Sequence, residues 1–430
     1  MADNENGTLR RVAWSEICPW LAIFRTFRLA ASFRILLLSA AAVFITFCGW
    51  ALFFWVFSED SRQTEWMGPD GGNPWKAATE MVPDAPRLPG MDGFGESVGE
   101  ALAPITSKGQ PGNPFFGSWA HLCRPALQIV RLNSDFTGLA CLLLCGLWSL
   151  ATWAFFGGAI TRMAAVQLAC DERVGLMAAL RFACSRWTSY FFAPLFPAAG
   201  ILLAALPICL LGLIQRVDAL VILTALVWPL ALVSGLIMAV LLLGLIFGWP
   251  LMWTTISAEG TDNFDALSRC YAYVFQRPLH YLFYAIVAGL FGAVGWLLVA
   301  NFAAAVVHLP LWAAAWGSGA DRFGEIASGT DMDSVLGNAG GAVIRFFGGC
   351  VKLLAAGFFF GYFWTATTCI YFLLRRDVDA TEMDEVFLDE DAGEGTHDLP
   401  PLGTDEAGAP VIDDQPETSP GDPEPEPKSE

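Results

Sequence analysis

The residues best suited to chemistry in this chain are scattered. Its four histidines, His121, His280, His308 and His397, lie far apart and show no metal-ligand spacing. No P-loop and no HExxH pattern occurs. A catalytic residue, a cofactor and a bound metal are therefore not expected, and the chain reads as a non-enzyme. Charged groups inside apolar runs are costly and tend to mark function, and here they are few. Arg345 and Lys352, in the last apolar run, are the candidates for a lipid or substrate contact. The alternative is that their long side chains snorkel toward the outer headgroups. Asn301 and His308 precede Pro310, where a local cap or interface bond is expected.

Of 11 cysteines, only Cys123 falls in the long external loop, so no disulfide framework is implied. Cys141 and Cys145 share a helix face and read as small packing residues. Gly244/Gly248 and Gly357/Gly361 are GxxxG pairs, and Gly289, Gly292 and Gly295 form a related ladder. Such residues let helices approach closely, within the chain or, alternatively, in a homo-oligomer.

The elements that must carry these residues are membrane spans. Hydrophobic residues make up 55% of the chain and charged residues 15%, against roughly 25% charged in soluble domains. Several runs exceed the roughly 20 apolar residues that cross a bilayer as a helix. Six spans are expected, at about 35–57, 136–160, 190–214, 220–253, 279–301 and 351–374. The fold class is all-α integral membrane, with the spans paired as three hairpins. The fifth span is expected to end near Asn301, with Phe302–Trp316 along the outer surface. The fourth is too long for a ~30 Å core and must tilt, kink at Pro229 or project.

Three domains follow. Residues 1–34 form an N-terminal segment with an amphipathic helix at Trp20–Arg34, residues 35–376 the membrane domain, and residues 377–430 an acidic tail. Arg10-Arg11 resembles a fragment of a twin-arginine signal, but the apolar run starts too late for a cleaved leader, so the N-terminus is expected to be retained. The external loop, 58–135, is rich in Gly, Pro and Asp. Phe115–Leu132 within it is amphipathic, with Phe116, Trp119, Cys123, Leu127 and Val130 on one face and an interruption at Pro125. It reads as an interfacial or re-entrant piece. Trp50, Trp55, Trp187, Trp249 and Trp253 lie near span ends, as interfacial anchors do.

The net charge of −18 is carried by the tail, because Asp377–Glu430 holds 19 acidic residues and one basic residue, Lys428. The tail is expected to be disordered. Met383, Val386, Phe387 and Leu388 lie among its acids and are the candidates for docking a cytoplasmic protein; a solvated tail is the alternative. With six spans, Arg25, Arg28, Arg34, Arg162, Arg173, Arg181, Arg186, Arg269, Arg277, Arg375 and Arg376 fall on one side. That side is cytoplasmic by the positive-inside rule, which leaves both termini inside.

A polar island, Glu259–Tyr281, separates two long apolar runs. Glu172–Tyr190 echoes it. With Glu172 set over Glu259, Ala179-Leu180 falls over Ala266-Leu267, and a one-turn insertion brings Tyr190 over Tyr281. Asp262 or Asn263 can cap the second copy, in which Phe264, Leu267, Tyr271, Val274 and Phe275 share a face. In the first copy Leu176, Leu180, Ala183 and Trp187 do the same. Trp20–Arg34 is a candidate third copy. The unit is an interfacial amphipathic helix followed by two spans; the alternative is that any multi-pass protein has basic amphipathic connectors. The pattern of Glu259, Gly260, Ala266, Leu267 and Arg269 entering a span resembles the membrane domain of glycerophosphodiester phosphodiesterases and related bacterial multi-pass families. The resemblance covers about twenty residues, and the Gly-aromatic-Trp ending of such segments is replaced by Gln276-Arg277-Pro278-Leu279-His280. It implies topology only, since the catalytic barrel of those enzymes has no counterpart here.

These readings describe a non-enzymatic multi-pass protein of a bacterial plasma (inner) membrane, a scaffold in contact with membrane lipids whose tail docks a cytoplasmic protein. No nucleic-acid partner is expected. The alternative is a transporter or permease-like component for a lipidic or apolar solute, with the kinked third span and the glycine-rich fifth and sixth lining its path.

Overall fold

A computed structural model describes residues 18–57, 73–80, 82, 113–129, 136–319, 322, 324–325, 335–388, 402–404 and 410–412. The segment before Cys18, most of the external loop and most of the acidic tail lie outside the described residues, as does His397.

A 3-10 turn at Pro19–Phe24 runs into α1 (Arg25–Ala30). Six long helices follow: α2 (Phe33–Val56), α5 (Phe136–Ala169), α7 (Trp187–Ile214), α8 (Val221–Glu259), α10 (Pro278–Ser318) and α11 (Val335–Asp379). Each is long and apolar enough to cross a bilayer. Between them lie α3 (Pro74–Thr79), α4 (Pro114–Ile129), α6 (Leu176–Ser185) and α9 (Asn263–Gln276). A separate second unit begins at Leu388. Its described part is an antiparallel pair, β1 (Leu402–Thr404) and β2 (Pro410–Ile412), with Leu402 opposite Ile412.

Several long helices outrun their expected bounds, α10 and α11 by the most. Helix α10 passes unbroken through Asn301 and Pro310 to Ser318. Asn301 turns its Nδ2 back to the carbonyl of Leu297, 2.8 Å away, so it satisfies the helix instead of ending it. Phe302–Trp316 is thus part of the same helix, not a separate surface segment. Helix α11 starts at Val335 and reaches Asp379, a 45-residue rod of about 67 Å.

Burial is concentrated at one end. Gly157–Val166 of α5, Gly248–Ala258 of α8 and Ala355–Arg375 of α11 are buried without interruption. These helices run the same way, so their C-terminal halves meet in a packed base around an aromatic centre. Trp253 stacks on Trp364 with centroids 4.7 Å apart and planes 9° from parallel, and Trp153 lies 6.2 Å from Trp364. Trp50, Trp249 and Trp253 are therefore core residues, not the lipid anchors their positions near span ends imply; Trp55 stays exposed. Close approach is built from glycine. A Cβ at Gly357 would lie 2.5 Å from the Leu36 carbonyl oxygen, which fixes the α11–α2 crossing. In the far half of α7 and α8 most of the large apolar side chains are exposed: Ile222 is 81% and Leu226 79% exposed.

Helix α4 enters the bundle. Asn113 caps it, its Oδ1 accepting from the Phe115 and Phe116 amides while its Nδ2 donates to the Gly289 carbonyl, 3.0 Å away. Ser118 donates to the Phe359 carbonyl and Trp119 to that of Ile246. The helix runs through Pro125, which is buried, so the expected interruption does not occur. Its buried residues are Pro114, Phe115, Ser118 and Pro125; of the expected face Phe116, Trp119 and Cys123 pack against the core, whereas Leu127 is exposed.

Candidate functional site: a charge cluster beneath a C-terminal strap

A helix ending inside a protein leaves its last carbonyls without intrahelical donors. Helix α8 ends in this way in the packed base. Gly260, at φ 62°, turns the chain and its amide caps the Ile256 carbonyl at 3.0 Å. The Ser257 carbonyl accepts from Arg162, 2.9 Å away, and the Ala258 carbonyl from the backbone amide of Phe387, 2.8 Å away. Arg162 also donates to the Phe387 carbonyl at 2.6 Å and lies 4.3 Å over the Phe182 ring. A cation at a helix C-terminus opposes the negative end of the helix dipole.

Below this cap the Ser257 hydroxyl lies 2.6 Å from Thr161 Oγ1 and 2.7 Å from the Tyr190 hydroxyl, a chain of buried hydroxyls. Beside it, the nearly buried Glu259 pairs with Arg269 at 2.6 Å and with Arg375 at 3.5 Å, and accepts from the Tyr371 hydroxyl. Arg269 also bonds Asp265 at 3.1 Å. Partial burial works against the Arg269 cation, but the Asp265 hydrogen bond and the Glu259 charge outweigh it, so its pKa lies above the ordinary arginine value. The Tyr273 hydroxyl donates to Asp379, and burial, then that bond, raise its pKa. Arg375 donates to the Glu385 backbone carbonyl at 2.7 Å, with the Glu385 carboxylate 3.8 Å away.

The residues that reach this cluster from the C-terminal side form a strap. Helix α11 ends at Asp379, Ala380 adopts φ 53°, and the chain folds back along the base. Met383 and Val386 pack against the core, and the Phe387 ring covers Gly260, where a Cβ would come within 2.7 Å of it. The expectation that 377–388 is disordered, and that Met383, Val386 and Phe387 are free to dock a partner, is corrected here. Their apolar side chains and backbone are used by the chain itself. Leu388 is exposed.

The repeat residues fall in matching registers with unequal surroundings. Ala179 and Ala266 are both buried, and their amides bond the cap carbonyls of Gly175 at 3.1 Å and Asp262 at 3.2 Å. Leu180 and Leu267 are half-buried against the core. The amides of Tyr190 and Tyr281 bond the carbonyls of Arg186 and Arg277, the residues joining each short helix to the next long one. Asp262, not Asn263, caps α9. Its buried residues are Ala266, Cys270, Tyr273 and Val274, so Phe264 and Phe275 lie outside that face. In α6 the buried residues are Ala179, Phe182 and Ala183. Glu172, however, is exposed in the loop before α6, whereas Glu259 is central to the cluster. At that loop Asp171 pairs with Arg25, and Arg34 donates to the Val174 carbonyl at 2.9 Å.

Arg345 and Lys352 lie two turns apart on one face of α11, each engaged with neighbouring groups. Trp75 of α3 docks beside them, stacked on Phe346 at 5.0 Å and lying against Gly349. The glycine ladder is filled: Phe116 occupies the space a Cβ would need at Gly289, and Tyr362 that at Gly292. No group of three His, Cys, Asp or Glu that could hold a metal occurs among the described residues.

Sequence reasoning missed Arg162, assigned to a connector because the span was ended at Ile160. It also passed over Gly95-Glu96-Ser97-Val98-Gly99, which spells GxSxG. That pattern carries a nucleophile only on a strand–turn–helix elbow; it lies outside the described residues. Comparison with family models, curated proteins and solved structures yields no match. The class rests on the fold: six long apolar helices make this a multi-pass helical membrane protein.

Proposed function

We propose that the chain is a non-enzymatic scaffold of a bacterial plasma (inner) membrane, with both termini cytoplasmic and an acidic tail that recruits a cytoplasmic protein. The observation that carries this reading is the strap. It ties the tail's point of exit to buried arginines of the bundle, so a partner on the tail is held at a defined place on the membrane. Because Met383, Val386 and Phe387 serve the strap, recruitment falls to the acidic residues beyond it. The spans act as three hairpins, each preceded by an interfacial helix, and the shared registers of α6 and α9 support a repeated unit. Exposed Phe24 and Phe33 beside Arg25 and Arg34, and exposed Met177 between Arg173 and Arg181, suit a headgroup layer. The likeness to the membrane domain of glycerophosphodiester phosphodiesterases stays within this reading, as a likeness of topology. Co-purification tests it. A cytoplasmic protein recovered with the full chain and lost when residues 389–430 are removed supports recruitment; identical protein content in both preparations contradicts it.

One observation favours a transporter instead: α4 is a short helix whose capped N-terminus lies among the long ones. The filled glycine ladder weighs against an open path. Uptake of an apolar solute into proteoliposomes, above that of protein-free vesicles, would establish this second reading.

A further inference from the structure

We propose that the C-terminus of α8, with Arg162, Gly260 and Arg375, is a reversible docking site for an extended peptide of apolar residues flanked by carboxylates. In this conformation Ala380–Phe387 is its ligand in cis. The inference deepens the scaffold reading, since the strap joins bundle and tail, but the site itself requires no tail partner.

The site has a demand that the helix cannot meet. Ala258 is fully buried, and its carbonyl is satisfied by a residue far away in sequence, Phe387. Phe387 is held at both backbone polar groups, its amide by Ala258 and its carbonyl by Arg162. Such contacts recognise any extended chain; main-chain bonds supply affinity and side-chain pockets supply selectivity. Two features select the sequence. Gly260 gives a surface without a Cβ against which an aromatic ring can rest. Arg375 grips the residue two positions earlier, Glu385, by its carbonyl and faces its carboxylate. A carboxylate-flanked aromatic segment therefore fits, and a basic one does not.

The ligand is also built to leave. Ala380 holds a left-handed backbone that costs a residue with a Cβ, so undocking relieves strain at the hinge. Glu382, Asp384, Glu385 and Phe387 are all exposed. Beyond the apolar contacts of Met383 and Val386, the strap is fastened by the bonds of Phe387 with Ala258 and Arg162 and of Glu385 with Arg375.

The test uses the full-length chain in lipid nanodiscs and a fluorescent peptide spanning residues 380–390. In the wild type the cis strap competes. Phe387→Asp removes the ring from Gly260 and weakens that competition. The Phe387→Asp chain is expected to bind the peptide at least tenfold more tightly than the wild type or Glu382→Gln. If Phe387→Asp melts cooperatively and binds no better than wild type, the proposal is overturned. Should that variant fail to fold, amide exchange of the wild type decides. Glu385–Phe387 exchanging more slowly than the free peptide but faster than the core of α11 supports a reversible strap. Exchange as fast as the peptide, or as slow as the core, overturns it.

Discussion

Gly260 carries two constraints at once. Its φ of 62° penalises any residue with a Cβ, and the Phe387 ring occupies the space a Cβ would need. Gly260→Ala should therefore destabilise the protein by about 1–2 kcal/mol from the backbone alone, with a steric addition from the ring. The double variant with Phe387→Ala should recover the steric part but not the backbone part, a non-additivity measurable by chemical denaturation. Ala380 offers the converse. Gly at a left-handed position removes strain, so Ala380→Gly should raise stability by roughly 0.5–1 kcal/mol, or leave it unchanged if the strap is undocked most of the time. His121, on α4 and outside the six spanning helices, is enclosed by Phe47, Trp50 and Phe360. Burial, then the charge of Arg124, hold its pKa down to about 3. The unfolded chain binds a proton near pH 6.5 that the folded one refuses. The stability at stake is fully present above that pH and is lost as pH falls toward 3, by up to about 1.4 kcal/mol per unit. Melting curves across this window should show a difference between wild type and His121→Phe that widens with acidity; parallel curves would remove the effect.

At the scale of elements, what hydropathy makes legible is the existence of each span, and its boundaries follow less well. Helices α5, α8 and α11 continue past their expected ends because polar Thr161, Ser257 and Arg375 end a hydropathy run but not a helix. Their hydroxyls and guanidinium groups find partners inside the base. Local capping chemistry was readable, as with Asp262 ahead of α9. The buried faces of α4 and α9 were readable in part: Phe116, Trp119 and Cys123, and Leu267, Tyr271 and Val274, pack on the core, whereas Leu127, Phe264 and Phe275 are exposed, because a leucine or phenylalanine facing lipid looks the same in sequence as one facing protein. Glycines separate the two by what they touch. Gly357 meets backbone, which cannot yield, whereas the nearest atoms to a Cβ at Gly248 are 3.8 Å away. Gly357→Leu should part α11 from α2 at a cost of about 3 kcal/mol, while Gly248→Ala should change stability by less than about 0.5 kcal/mol. Thermal unfolding in detergent compares them directly, and equal effects would mean that the α11–α2 crossing is not held by close contact.

For the molecule as a whole, the contrast is between a base packed on all sides and far helix halves clothed only in apolar side chains. The second are suited to lipid. The first collects three helix C-termini; the negative dipole end of α8 is met by Arg162. Composition could not reveal that meeting, since Arg162, Glu259 and Phe387 are distant in sequence and each is unremarkable alone. The strap was hidden for a related reason: acid-rich segments read as solvated, and three apolar residues among them become informative only once the surface they cover is known. What the arginine distribution did indicate is a sidedness, and the rest of the account depends on it. Residue-specific labelling with membrane-impermeant reagents, at Glu172, Asp262 and Asp218 in turn, tests it most directly. The first two positions should react only from the cytoplasmic side and Asp218 only from outside; Glu172 and Asp262 reacting from opposite sides would contradict the six-span arrangement and the kinship of the two segments together.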